Sequence, residues 1–210
     1  MHFFQKCCLI AISYNGTKAK NSMLTNEQEK TLFGIPLRLD DIYPSVPPPI
    51  NPPYELDEIM LTFGDIFNYV NQDGSIKRSW EEGQMGFADI PFTIPFSSYP
   101  DIKVGKIYCH KKLISTFTKV FRVIYEKNLH RHIHSYGGCY VYRNKNNQTQ
   151  LSTHCWGIAI DLNPHTNAPG TRGDMNSDIV RVFQSHGFEW GGNWKKKYRN
   201  PMHFQWCSGY

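Results

Sequence analysis

The sequence predicts an α+β domain, and three observations carry that reading. From His110 to Asn128, apolar residues recur at Leu113, Phe117, Val120, Phe121 and Ile124, one stripe at helical period with lysines and Arg122 elsewhere. A second helix is expected from Asp178 to His186, because Asn176-Ser177-Asp178 offers caps before Ile179, Val180 and Phe183, and Gly187 supplies a stop. Short segments of β character lie at Tyr140 to Tyr142, Gly157 to Leu162 and Met202 to Trp206. Helices flanking a small antiparallel sheet would bury all of these apolar faces in one core.

The chain before these elements reads differently. Residues 1–55 form an N-terminal extension, in which Asn15-Gly16 with Lys18, Lys20 and Asn21 reads as loop. The run Pro44 to Pro53 contains six prolines and forces polyproline-like backbone, a stiff connector, because proline sets φ and removes a donor. Leu56 to Val70 mixes helical and extended spacing, with a helix expected around Gly64 to Asn71 and a turn at Asn71-Gln72-Asp73-Gly74. The main domain is therefore expected over residues 56–210, with its motif-bearing core at about 95–210.

Composition narrows the function classes. At 210 residues and 40% apolar content the chain can bury a core. No apolar run approaches the roughly 20 residues of a membrane helix, and Cys8 to Ile12 is short even for a signal-peptide core. A net charge of +5 from 23 basic and 18 acidic residues is mild, so the Lys195-Lys196-Lys197 run with Arg199 reads as a solvated loop and nucleic acid is not expected as a partner. The six cysteines form no C-x-x-C pair, which excludes a four-cysteine ribbon and a thioredoxin-like motif.

Chemistry-bearing residues concentrate in the last third. His154 and Asp161 stand seven positions apart, an odd separation that would place them on opposite faces of a regular strand. A shared metal requires a bend between them, and Gly157 is where the backbone can turn. Ile158 and Ile160 then fill the core while Ala159 and Asp161 face a cleft, and Cys155 packs away from the metal. His203 completes a set of two imidazoles and a carboxylate, which suits catalytic zinc and also non-haem iron.

Four blocks extend this set. They are Gly-Gly-Cys-Tyr-x-x-Arg at 137–143, Ser-x-His-x-x-Gly-x-Ala-x-Asp at 152–161, Gly-Phe-x-Trp-Gly-Gly-x-Trp at 187–194 and Asn-Pro-Met-His-Phe-Gln at 200–205. In this order they closely resemble the D-alanyl-D-alanine carboxypeptidase family, which includes L-alanyl-D-glutamate endopeptidases of phage lysins. The resemblance implies a Zn2+ cleft on the sheet, with His154, Asp161 and His203 as metal ligands. It implies that Arg143 steadies the substrate carbonyl as it becomes an oxyanion, that Ser152 lies near the substrate, and that peptidoglycan stem peptides are the substrate. Trp194 is a further candidate for substrate contact, since aromatic rings stack on sugars. A monomer acting at the cell envelope or outside it is expected, or one held in the cytoplasm until release if it is of lysin type.

One position departs from the family pattern. The acidic residue three places before the last ligand, the general base, is Asn200 here, and an amide takes up no proton at neutral pH. Two functional readings follow: a zinc peptidase of carboxypeptidase or endopeptidase type impaired at Asn200, or a catalytically inactive zinc-site module that binds muropeptide or a protein. Glu189 and Asp174 are the nearest replacement bases in sequence. Other histidines read as structural: His186 ends a helix, and His130, His132 and His134 lie on a surface strand or loop.

Overall fold

The computed structural model describes residues 51–145 and 149–210. The loop at residues 15–21 and most of the proline-rich connector lie outside the described residues. Helices α1 (Glu55–Phe63), α2 (Arg78–Gln84), α3 (Ile114–Glu126) and α4 (Ser177–Ser185) surround a six-stranded sheet. Its strands are β1 (Met85–Phe96), β2 (Tyr99–His110), β3 (Tyr136–Gly138), β4 (Ala159–Leu162), β5 (Glu189–Trp190) and β6 (His203–Gln205), in the order β2-β1-β3-β4-β6-β5. The fold is α+β as expected, but the sheet is mixed: β1 and β3 are parallel through Phe96 and Tyr136, and the other neighbours are antiparallel.

Both principal helices form where the periodicity places them. Along α3, Phe117, Val120, Phe121 and Ile124 are fully buried, and the helix closes at Asn128, whose φ of 57° is left-handed. In α4, the Asn176 side chain accepts hydrogen bonds from the N–H groups of Asp178 and Ile179, which supplies the N-terminal cap. Phe183 of this helix stacks on Phe204 of β6 at 4.2 Å between centroids, so α4 covers the face of the sheet opposite the cleft.

Two local expectations are corrected. The first helix runs from Glu55 to Phe63 and stops at Gly64, whose φ is 100°; beyond it lies only a 3-10 turn over Ile66–Tyr69 capped by Asp65. The mixed spacing arose because Leu61 and Phe67 are exposed while Ile59, Phe63 and Ile66 are buried. Tyr140 to Tyr142 is not a strand either. Its backbone bonds go to the turn that carries His154: Val141 donates to the His154 carbonyl and Arg143 accepts from Ser152 N–H.

The hairpin β1-β2 carried no clear pattern because Pro91 and Pro95 fall within β1 and its register shifts between Asp89 and Ile94 and again after Pro95. The Asn71 to Gly74 turn forms, closed by Gly74 N–H to the Asn71 carbonyl. At the C-terminus, Ser208 exchanges backbone bonds with Pro53 and Glu55. Among the described residues no helix is long and apolar enough to cross a membrane.

Candidate metal centre

Three antiparallel strands present one face to the site. Asp161 on β4 lies opposite His203 on β6, and Gln205 lies opposite both Ala159 of β4 and Glu189 of β5. Side chains two apart on a strand share a face, so Asp161, His203, Gln205 and Glu189 project together. His154 comes from a 3-10 turn, Thr153–Trp156, which Gly157 ends at a φ of 64°. That is the bend the odd spacing demanded.

His154, Asp161 and His203 are 2%, 7% and 5% exposed, and one donor atom from each lies within 4.8 Å of the others. His154 Nδ1 is 2.7 Å from the Cys139 carbonyl, which can only accept, so this nitrogen carries the proton. In the neutral ring, His154 Nε2 then holds a lone pair. It is buried without a hydrogen-bond partner and stands 3.3 Å from Asp161 Oδ2.

His203 is arranged in the same way. Its Nε2 lies 3.1 Å from Gln205 Oε1, which leaves Nδ1 to face Asp161 Oδ1 at 2.9 Å. The Gln205 amide is oriented by its nitrogen, which donates to Glu189 Oε2, the Cys207 carbonyl and the Tyr210 carbonyl. Thr153 Oγ1 also donates to Gln205 Oε1.

Two lone pairs thus converge on one buried carboxylate, an arrangement that repels unless a cation stands between the groups. The residues fit a divalent metal held by two imidazole nitrogens and one carboxylate, with outer partners that set each tautomer. Burial alone would raise the Asp161 pKa. A second proton on His154 or His203, in place of a cation, would turn the facing nitrogen into a charged donor. That charge and hydrogen bond, those of His154 first, outweigh burial and hold the carboxyl far below its ordinary range.

The other predicted site residues surround this centre. Ser152 is buried and its hydroxyl accepts from His154 N–H at 3.4 Å, capping the turn that carries the ligand. Arg143 is tied by its backbone N–H to Cys155 Sγ at 3.2 Å, while its guanidinium donates to the Asn144 carbonyl and does not touch the trio. Cys155 is buried facing Arg143, away from the ligand atoms. The Trp194 ring lies 5.5 Å from that of His203, and its Nε1–H donates to Glu189 Oε1 at 2.6 Å.

Asn200 is fixed through its backbone, donating to the Gly191 carbonyl and accepting from His203 N–H, and its Oδ1 is buried without a hydrogen bond. Of the replacement bases, Asp174 accepts from Asn167 and Glu189 from Trp194.

The histidines that the sequence set aside stand outside this group, and His130 and His132 lie on a 3-10 turn over Leu129–His132 rather than on a strand. His130 packs against Phe92 and Tyr125 at centroid distances of 5.4 and 5.0 Å, while His132 and His134 are exposed. His186 Nδ1 bonds the Val182 carbonyl, and its own carbonyl accepts from Trp206. Among the described residues, no other group of histidine, cysteine, aspartate and glutamate side chains gathers closely enough to hold a metal. Sequence reasoning missed Thr153, Gln205 and Glu189 as supports of the centre; the usable signal was that Gln205 alternates with His203 on one strand.

Residues 145–206 match the family model described as D-alanyl-D-alanine carboxypeptidase. The matched stretch contains the whole trio together with Ser152, Trp194 and Asn200, and it begins two residues after Arg143. No curated protein matches the chain.

Proposed function

From a chain whose residues 145–206 belong to the D-alanyl-D-alanine carboxypeptidase family, we propose a zinc-dependent peptidase that hydrolyses peptidoglycan stem peptides. The bond is either that of a terminal D-alanine or an internal bond to D-glutamate. The observation that carries this reading is the buried, unpartnered His154 Nε2 facing Asp161 beside His203.

His154 Nε2, the Asp161 carboxylate and His203 Nδ1 would hold the ion. When bound, zinc supplies a Lewis acid that polarises the scissile carbonyl and lowers the pKa of a water. Arg143 is the group to receive developing negative charge, since a guanidinium offers fixed donors and its segment is anchored beside the His154 turn. Trp194 forms a wall next to His203 and can exclude water or stack on substrate. The protein acts as a monomer on the cell wall, at the envelope or outside it, or after release from the cytoplasm.

Asn200 favours a second reading. With an amide where a proton acceptor is needed, the centre can bind muropeptide or a protein partner without hydrolysing it efficiently.

Metal analysis of the purified chain beside His154→Ala and His203→Ala tests both. About one zinc per chain, lost in each variant while the fold persists by circular dichroism, is the expected result. A parent that takes up no zinc on reconstitution would remove the peptidase reading.

A further inference from the structure

A cavity of about 320 Å³ is lined by Arg172, Gly173, Met175, Trp190, Gly192 and Arg199. None of its lining residues belongs to the metal centre. Its walls are held by contacts that require no ligand. Gly170 N–H donates to the Arg199 carbonyl at 2.7 Å, and Met202 N–H donates to the Asn167 carbonyl at 3.2 Å. Asn167, fully buried, bonds both the backbone and the side chain of Asp174.

Glycine permits this closeness: a Cβ on Gly173, at a φ of 66°, would meet Asn167 Oδ1 at 2.4 Å and Pro201 at 2.7 Å. At Gly192 a Cβ would strike the Trp190 indole at 2.2 Å, so a side chain there would disturb the cavity wall.

Among the described residues neither Arg172 nor Arg199 has an ion-pair partner. Arg199 Nε is buried with no hydrogen-bond acceptor, a rare condition for a guanidinium N–H. The nearest carboxylate in sequence, Asp174, is engaged by Asn167. Two guanidinium groups lining one polar cavity supply the kind of fixed donors that a carboxylate accepts from.

We propose that this cavity binds a carboxylate of an acidic peptide through Arg172 and Arg199. Its place in catalysis rests on the peptidase reading above, whereas the anion site itself does not. Arg199 stands four residues before His203, a chain distance of at most about 14 Å. At about 3.4 Å per extended residue, a substrate carboxylate within about four residues of the scissile bond spans that distance. The cavity would then select stem peptides by a free acidic group and distinguish them from amidated ones.

Calorimetric titration of the zinc-loaded full chain with a synthetic tetrapeptide bearing free carboxylates, its fully amidated counterpart, and inorganic phosphate tests the site. Amidation is expected to weaken binding by about ten- to a hundred-fold, the range of one charge-assisted fork. The Arg172→Gln/Arg199→Gln double variant should bind the acidic peptide no better than the amidated one. Arg172 is exposed, so Arg172→Gln alone preserves the fold and should show an intermediate loss.

Equal binding of acidic and amidated peptides by the parent, or discrimination that persists in the double variant, would overturn the proposal. Phosphate binding ten-fold tighter than the acidic peptide would reassign the cavity to a phosphoryl group and overturn the carboxylate assignment. Intact discrimination without any hydrolysis of the peptide supports the anion site and rejects only the peptidase reading.

Discussion

Gln205 Oε1 stands 3.1 Å from His203 Nε2, and this contact leaves Nδ1 as the ring nitrogen that faces Asp161. The Gln205 amide is in turn held by Glu189, and Glu189 holds Trp194, so one carboxylate steadies two groups that touch His203. Gln205→Leu should therefore weaken metal affinity by about ten- to a hundred-fold, the usual effect of losing an outer partner of a ligand. Competition with a chromogenic chelator measures this. An unchanged dissociation constant in a folded variant would mean that Gln205 does not set the tautomer.

Asn200→Asp should raise hydrolysis of purified peptidoglycan by about 10²–10⁴-fold, the range of general base catalysis, with zinc content unchanged. Release of new amino termini gives the readout. No gain would favour the binding module over the impaired peptidase.

Gly157→Ala should destabilise the chain by more than about 2 kcal/mol, since it combines left-handed backbone with lost space. A Cβ there would meet Met85 Cε at 2.4 Å and the His110 backbone nitrogen at 2.8 Å, at a φ of 64°. The turn carrying His154 would shift with it. Urea unfolding and zinc content should fall together, and a variant of parental stability would contradict the packing described.

His110 gives the stability a dependence on pH. It is fully buried, with Nε2–H donating to the Phe63 carbonyl and Nδ1 accepting from Lys112 N–H. Burial, partly offset by the Phe63 bond and reinforced by Lys112 and Lys111, holds its pKa down to about 3 from an ordinary 6.5. The folded state keeps the ring neutral, so this stability is complete above pH 6.5 and is lost as the pH falls toward 3. Between pH 7 and pH 5 the loss is about 2 kcal/mol.

Asp161 acts in a lower window, because its carboxyl titrates below the ordinary carboxylate range in the fold. Chemical denaturation at both pH values with a chelator present should show a smaller loss for His110→Gln. Identical losses in the two proteins would exclude His110 as the source.

The sequence by itself determined the α+β class, the helices α3 and α4, the need for a bend at Gly157 and the three residues, His154, Asp161 and His203, that the fold gathers closely enough to hold a metal. Each of these is local: a helical stripe spans a few turns, an odd spacing needs one glycine, and the ligand blocks are short runs of chemically distinctive residues. The same locality misled at Gly64 to Asn71 and at Tyr140 to Tyr142. There the burial of Phe63 and Ile66, and the backbone bonds between Val141 and His154, come from partners distant in the chain.

Only the tertiary structure decided the β1-β2 hairpin, the parallel β1-β3 contact, the Gln205–Glu189–Trp194 support and the cavity that Arg172 and Arg199 both line. All of these depend on which strand or loop lies beside which. That arrangement follows from burying one common core, and hydrophobic burial carries no direction that a single segment could display.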